Sequence, residues 1–159
     1  MKKYYKEITE EIECLGFNII NFDFNRPWGG FLLINESQSQ DFINIFFSKE
    51  NSEIEGRLSP KILIVNPNSR LSWQFHNRRK EIWRVYKNSV GIIRSIDNNQ
   101  NEMEILNQGD TIKFKTEERH RLVGLSNFGV VAEIWIHTDL NNPSDEQDIV
   151  RLQDDYSRN

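Results

Sequence analysis

Between positions 68 and 88 the chain reads NSRLSWQFHNRRKEIWRVYKN, a pattern that demands a sheet with one polar face. Leu71, Trp73 and Phe75 alternate with Ser72, Gln74 and His76, the period of a strand, so Gln74 and His76 point to the same side. Polar residues on one face of an otherwise apolar strand suggest a lined cavity. After the basic turn NRRK the chain resumes as EIWRVY, again rich in β-formers. Glu81 opens that run and is placed to return beside His76 across a hairpin. A fourth group, His120, stands at the head of a further apolar run, HRLVGL. One amide, two imidazoles and one carboxylate can hold a divalent transition metal and leave a position for substrate or water. The plainer alternative is a barrel with a few buried polar residues, each imidazole merely hydrogen-bonded.

The rest of the chain supports the sheet. Tyr4, Ile8, Ile12 and Leu15 recur at helical spacing, so residues 3–15 are expected to form a helix packed outside a sheet, with Gly16 as its cap. FNIINFDF (17–24) is β-prone, RPWGG is a turn, and strands are expected at 31–34, 41–47 and 62–65. VGIIRSI, EMEIL and TIKFK follow as short strands, with NQGD as a hairpin-type turn. RLVGL and VVAEIWIHT are expected to form a last long hairpin. The tail reads as a solvated helix or an extended strap, SDEQ resembling a helix start with Ser144 as cap. Many short strands with close turns and little helix indicate an all-β antiparallel barrel or jelly roll with a short N-terminal helix.

Composition limits the functional classes. With 159 residues the chain is expected to form one domain: an N-terminal helix and strand extension at 1–24, the barrel at 25–142, a C-terminal strap at 143–159. A net charge of −4 argues against nucleic acid as a partner. Cys14 stands alone, so no intrachain disulfide forms and an oxidising compartment is not implied. Neither a signal peptide nor an apolar run of spanning length is evident, so no membrane partner and a cytoplasmic location are expected.

These residues carry a family resemblance. The spacing is similar to the first cupin motif, G-x5-H-x-H-x4-E-x6-G, with Asn68, Gln74, His76, Glu81 and Asn88 at those places. Both glycines have become Asn, the next best residue for a positive-φ turn. The second motif, G-x5-P-x-G-x2-H-x3-N, is matched at Gly109 and His120 and departs at Lys115, Glu117 and Gly124. The Gln-His-Glu-His set resembles the zinc site of phosphomannose isomerases. RPWGGF (26–31) looks like the RPWG entry to the isomerase domain of type II phosphomannose isomerases, and DIVRLQDDYSR (148–158) like that family's closing DIVRxxDDYGR.

The resemblance implies a cupin double-stranded β-helix and a metal-dependent aldose–ketose isomerase acting on a sugar phosphate such as mannose 6-phosphate. It implies one divalent metal per chain, zinc before others, on Gln74, His76, Glu81 and His120. Phosphate needs cations, and Arg26, Arg79 and Arg151 are the expected substrate contacts. Arg151, at the pocket mouth, and His137, on one strand face with Glu133 and Trp135, are the catalytic candidates. His137 has no counterpart in the family, so it rests on that strand face alone. A homodimer is expected by analogy. The alternatives are a non-catalytic cupin that binds a sugar or sugar nucleotide, and a metal-dependent dioxygenase on the same barrel.

Overall fold

The structure is a computed structural model describing residues 2–158. It opens with helix α1 (Lys2–Cys14), which buries Tyr5, Ile8 and Ile12 on one stripe. Gly16 then turns the chain at φ 94°, its amide donating to the Glu13 carbonyl at 2.9 Å. Strands β1 (Ile19–Arg26) and β2 (Gly29–Ile34) form a hairpin about the RPWGG turn. Helix α2 (Ser39–Phe46) and β3 (Leu58–Val65) follow. The remaining strands are β4 (Trp73–Phe75), β5 (Arg79–Lys87), β6 (Val90–Ser95), β7 (Glu104–Leu106), β8 (Thr111–Phe114), β9 (Arg119–Gly124), β10 (Gly129–His137) and β11 (Val150–Gln153). They make two antiparallel sheets, β1-β2-β3-β10-β5-β8 and β11-β4-β9-β6-β7. This is the expected jelly roll. Among the described residues no helix is long and apolar enough to cross a membrane.

The centre of the first sheet, β2, β3 and β10, is buried on both faces, and alternation separates its two cores. Ile62, Ile64, Ile82, Val130 and Ile134 pack in one cluster with Tyr5, Ile8, Ile12, Phe42 and Phe46 of the two helices. Their neighbours Leu63, Val65, Trp83, Val85 and Val131 belong to a second cluster with Ile92 and Leu122 of the other sheet and Leu71 from the segment before β4. The helices therefore cap the outside of the first sheet, and the space between the sheets is left to the second cluster and the site.

Several expectations need correction. Of the segment 41–47, residues 41–46 are helical within α2, because Phe42, Ile43 and Phe46 bury together against the first sheet, a spacing that a helix satisfies. Strand β4 is only three residues long and pairs with β9 and β11, so Glu81 does not meet His76 across a hairpin. Likewise β9 and β10 lie in different sheets, and the NQGD turn crosses between sheets from β7 to β8. Tight turns here carry the chain over the edge of the barrel, as a double-sheet roll requires. The tail is extended: Ser144 caps no helix, and β11 pairs along β4.

The turn positions behave as their chemistry asks. Asn68 and Asn88 adopt φ of 54° and 60°, the left-handed region their two motif places need. Glu117 also sits there, at φ 62°, so that turn keeps its shape without glycine. Gly124 stands where the motif has Asn because a Cβ would lie 2.0 Å from the Asn66 carbonyl oxygen.

Candidate metal centre and the cavity beside it

Register brings the cluster together from both sheets. Arg151, Gln74 and His120 form one cross-strand row in the second sheet. Glu81 comes from β5 of the first sheet, paired with Trp135 of β10. His76 lies just beyond β4, in a turn capped by Asp148, whose carboxylate accepts the amides of Asn77 (3.0 Å) and Arg78 (2.9 Å).

The donor atoms of His76, Glu81 and His120 lie within 4.8 Å of one another, and all three residues are buried. His76 Nδ1 lies 2.9 Å from the Asp148 carbonyl oxygen, and His120 Nδ1 2.9 Å from that of Glu118. A carbonyl can only accept, so each ring carries its proton on Nδ1 and turns a bare Nε2 inward. Such backbone partners are the usual way a ligating imidazole is fixed. The two Nε2 atoms lie 3.1 Å and 3.2 Å from the two Glu81 oxygens. His120 Nε2 makes no hydrogen bond at all and is fully shielded from solvent. A buried lone pair facing a carboxylate oxygen calls for a cation between them. The set of two nitrogens and one carboxylate suits zinc and its neighbours in the first transition row, so the residues fit a divalent metal.

Gln74 stands next to this set. Its Nε2 is 3.5 Å from His76 Nε2, while its Oε1 accepts the Ser72 hydroxyl. To serve as a fourth ligand it has to turn its amide oxygen inward.

Charge in the cluster is unevenly shared. Burial pushes Glu81 up, but the groups around it, with the Arg79 guanidinium the fixed charge among them, hold the carboxyl well below the usual range. Burial pushes the His76 imidazole down, against the pull of Glu81. Trp83 Nε1 donates to Glu81 Oε2 (3.0 Å) and Glu133 Oε1 (2.9 Å), drawing two carboxyls to one donor. Burial, then the Glu81 charge, push Glu133 up to about 8. Two neighbouring acids cannot both ionise cheaply, and Glu133 is the one that keeps its proton.

In the metal-free protein the Glu133 proton couples folding to pH. At pH values below the ordinary carboxyl value of 4.5, folded and unfolded chains both carry the Glu133 proton. As pH rises toward 8, the unfolded chain releases a proton that the fold retains, so stability is lost over that window. Chelator-treated wild type should therefore lose stability from pH 5 to 8 more steeply than Glu133→Gln, by up to about 1.4 kcal/mol per pH unit. Urea unfolding at both pH values measures the difference; equal slopes refute it.

A cavity adjoins the cluster, lined in part by Gln74, Arg79, Glu81, Lys61, Glu133 and Trp135, with Arg26, Glu146, Arg151 and Arg158 around it. It encloses about 50 Å³, room for one or a few waters. Arg26 pairs with Asp23 at 2.9 Å, and Arg158 with Asp154 at 2.6 Å. His137 sits elsewhere. It lines a second cavity of about 270 Å³ with Glu36, Arg57 and Ser59, its Nε2 2.7 Å from Ser59 Oγ and its Nδ1 accepting the Ser144 amide at 3.0 Å. The larger cavity thus lacks the His-Glu-His cluster, which adjoins the smaller one.

Lys61 escaped the sequence reading, and Glu133 was named there only as sharing a strand face with His137. They face each other across β3 and β10, and Lys61 Nζ lies over the rings of Phe31 (4.6 Å) and Trp135 (4.4 Å). The signal was present: each is a charge inside an apolar strand.

Two antiparallel sheets closed over a His-Glu-His cluster define a cupin. The chain belongs to the family described as mannose-6-phosphate isomerase C-terminal, whose model matches residues 19–154. Among solved structures it is similar to a Bacillus subtilis oxalate decarboxylase, OxdC, at TM-score 0.57 and 12% identity over 80% of this chain and 29% of that one. It is also similar to procruciferin, an 11S globulin of Brassica napus, at TM-score 0.53 and 11% identity over 74% and 27%. The DMSP lyase DddQ of Ruegeria pomeroyi aligns over 60% of this chain at 12% identity and TM-score 0.48, and 43% of its length is covered. The chain thus spans less than half of each of these proteins, and at such identities the likeness to the first two concerns the fold alone. No curated protein matches the sequence.

Proposed function

We propose that the protein is a metal-dependent aldose–ketose isomerase of a sugar phosphate, with mannose 6-phosphate as the first substrate to test. The observation that carries this reading is the bare, buried Nε2 of His120 facing Glu81 and His76 beside a cavity edged with cations. His76, Glu81 and His120 would hold the metal, with Gln74 available as a fourth ligand. A bound divalent ion supplies Lewis-acid stabilisation of charge on the sugar's carbonyl oxygen.

The chain's own residues supply the rest. Arg26, Arg151 and Arg158 border the cavity, where their planar forks suit a phosphate. Glu133 is the buried cavity carboxyl outside the ligand set, and in its ionised form it is the group assigned to moving the proton between the two sugar carbons. Trp83 Nε1 fixes its orientation. With about 50 Å³ enclosed, the cavity must widen to admit the sugar ring.

The test is direct. Zinc-loaded protein and mannose 6-phosphate in deuterium oxide should give fructose 6-phosphate with deuterium at C1 and exchange the C2 hydrogen of the remaining mannose 6-phosphate, followed by proton NMR, and His76→Ala should give neither. Full turnover by chelator-stripped protein overturns the metal requirement. Sugar-phosphate binding without exchange at C2 moves the protein to the non-catalytic binding class.

A further inference from the structure

Arg79 occupies a place that a metal ligand needs. Its side chain is 3% exposed and tied on every side. Nε donates to Glu81 Oε1 at 2.7 Å, and Nη1 to Ser144 Oγ at 2.9 Å. The guanidinium carbon lies 3.5 Å from the centre of the Trp135 ring. Nη2 lies 3.1 Å from His76 Nε2. Because His76 Nδ1 is committed to the Asp148 carbonyl, Nε2 is the atom with a lone pair, and Arg79 donates into it.

A lone pair serves one partner at a time. A metal can take His76 Nε2 only after Nη2 withdraws, and a fixed guanidinium beside Glu81 also opposes an incoming dication by charge. The two sides of the cluster therefore differ. His120 Nε2 is free of hydrogen bonds, whereas His76 Nε2 is held by Arg79. The seat is reinforced from the loop before β11: Ser144 Oγ accepts from Arg79 and donates to Asp148 Oδ2 at 2.6 Å, and the Asp148 carbonyl in turn holds His76.

We propose that Arg79 is a built-in competitor for the metal position. It stands in for the cation in the metal-free protein, keeps His76 and Glu81 in place, and yields His76 when a divalent ion enters. The proposal rests on the metal reading above and adds that the weak point of loading is one arginine. The opposite role, in which Arg79 supports the metal by orienting Glu81, gives the opposite sign on substitution.

Cobalt(II) titration followed by visible absorption separates the two, on wild type, Arg79→Gln and Ser144→Ala. Competition predicts that Arg79→Gln binds cobalt tighter, by about 10-fold or more, the scale on which groups around a metal site change its affinity. Ser144→Ala, which only loosens the seat, should shift affinity the same way by less. Unchanged or weaker binding by Arg79→Gln overturns the proposal while leaving the metal site intact. Should Arg79→Gln fail to fold, wild type still decides: NMR of its guanidinium protons should change at metal saturation, and unchanged Arg79 signals overturn the proposal. If neither wild type nor variant gives a cobalt spectrum, the proposal falls together with the metal reading.

Discussion

Glu81→Gln should lose divalent-metal binding by at least about 100-fold, the upper end of what even outer partners of a metal site cost. Glu81 is the one carboxylate that touches His76, His120 and Arg79 together, at 3.1, 3.2 and 2.7 Å. The substitution keeps the volume and a hydrogen-bonding oxygen, so what it removes is charge. Without it, Arg79 remains buried with no carboxylate on its Nε, and removing one partner of a buried pair costs about 3–5 kcal/mol. The loss of stability should be partial, because Glu133 sits against the same Trp83 nitrogen and no longer feels the Glu81 charge. Its carboxyl then ionises at lower pH and supplies a substitute anion. Elemental analysis of tag-free protein and thermal melts in chelator read the two effects separately. Retention of about one metal per chain by Glu81→Gln would remove Glu81 from the ligand set.

Much of this site was legible because metal chemistry is strict about residue type and spacing. Gln74, His76, Glu81 and His120 were expected together and do converge, although their route is different. Alternation identifies which residues share a face, as it did for Gln74 against Trp73, but is silent on which strand lies alongside. That is why a hairpin was expected between β4 and β5, and another between β9 and β10, where the turns in fact step from sheet to sheet. Segment 41–47 failed for a related reason. Its aromatic and β-branched residues favour strand locally, and burial of Phe42, Ile43 and Phe46 against the first sheet decides for helix.

Position along a strand was the other thing sequence could not give. Glu133, Trp135 and His137 were seen to share a face. Only Glu133 and Trp135 reach the cavity beside the cluster, because β10 ends at His137 and its ring turns toward the second cavity. Lys61, paired opposite Glu133, followed the same logic: a lysine in PKILIV reads as an exposed edge until a neighbouring strand brings an acid and two aromatic faces to it.

Gly29→Ala should be the most damaging of the small changes outside the cluster, and its effect is on the frame that carries Lys61 and Leu63. Gly29 lies at φ 151°, opposite Val65, and a Cβ there would stand 1.9 Å from the Ile64 carbonyl oxygen and 3.1 Å from Val65 Cα. The obstacle is backbone, not a side chain that can swing away. Nor can that backbone retreat, since β3 is paired along eight positions with β10 on its other side, where Gly129 meets the same Val65. Strain in φ and the clash add, so the loss should reach about 3 kcal/mol or more. For a domain of this size that lowers the melting temperature by about 10 °C. Gly56→Ala is the control: Gly56 has φ 90° but nothing within 4 Å of its added Cβ, so it bears the left-handed strain alone, about 1 kcal/mol. Calorimetry on the two variants separates clash from strain. Equal melting of Gly29→Ala and Gly56→Ala would mean that β2 can slide off β3, and that the wall holding Lys61 against the cavity is less fixed than its pairing implies.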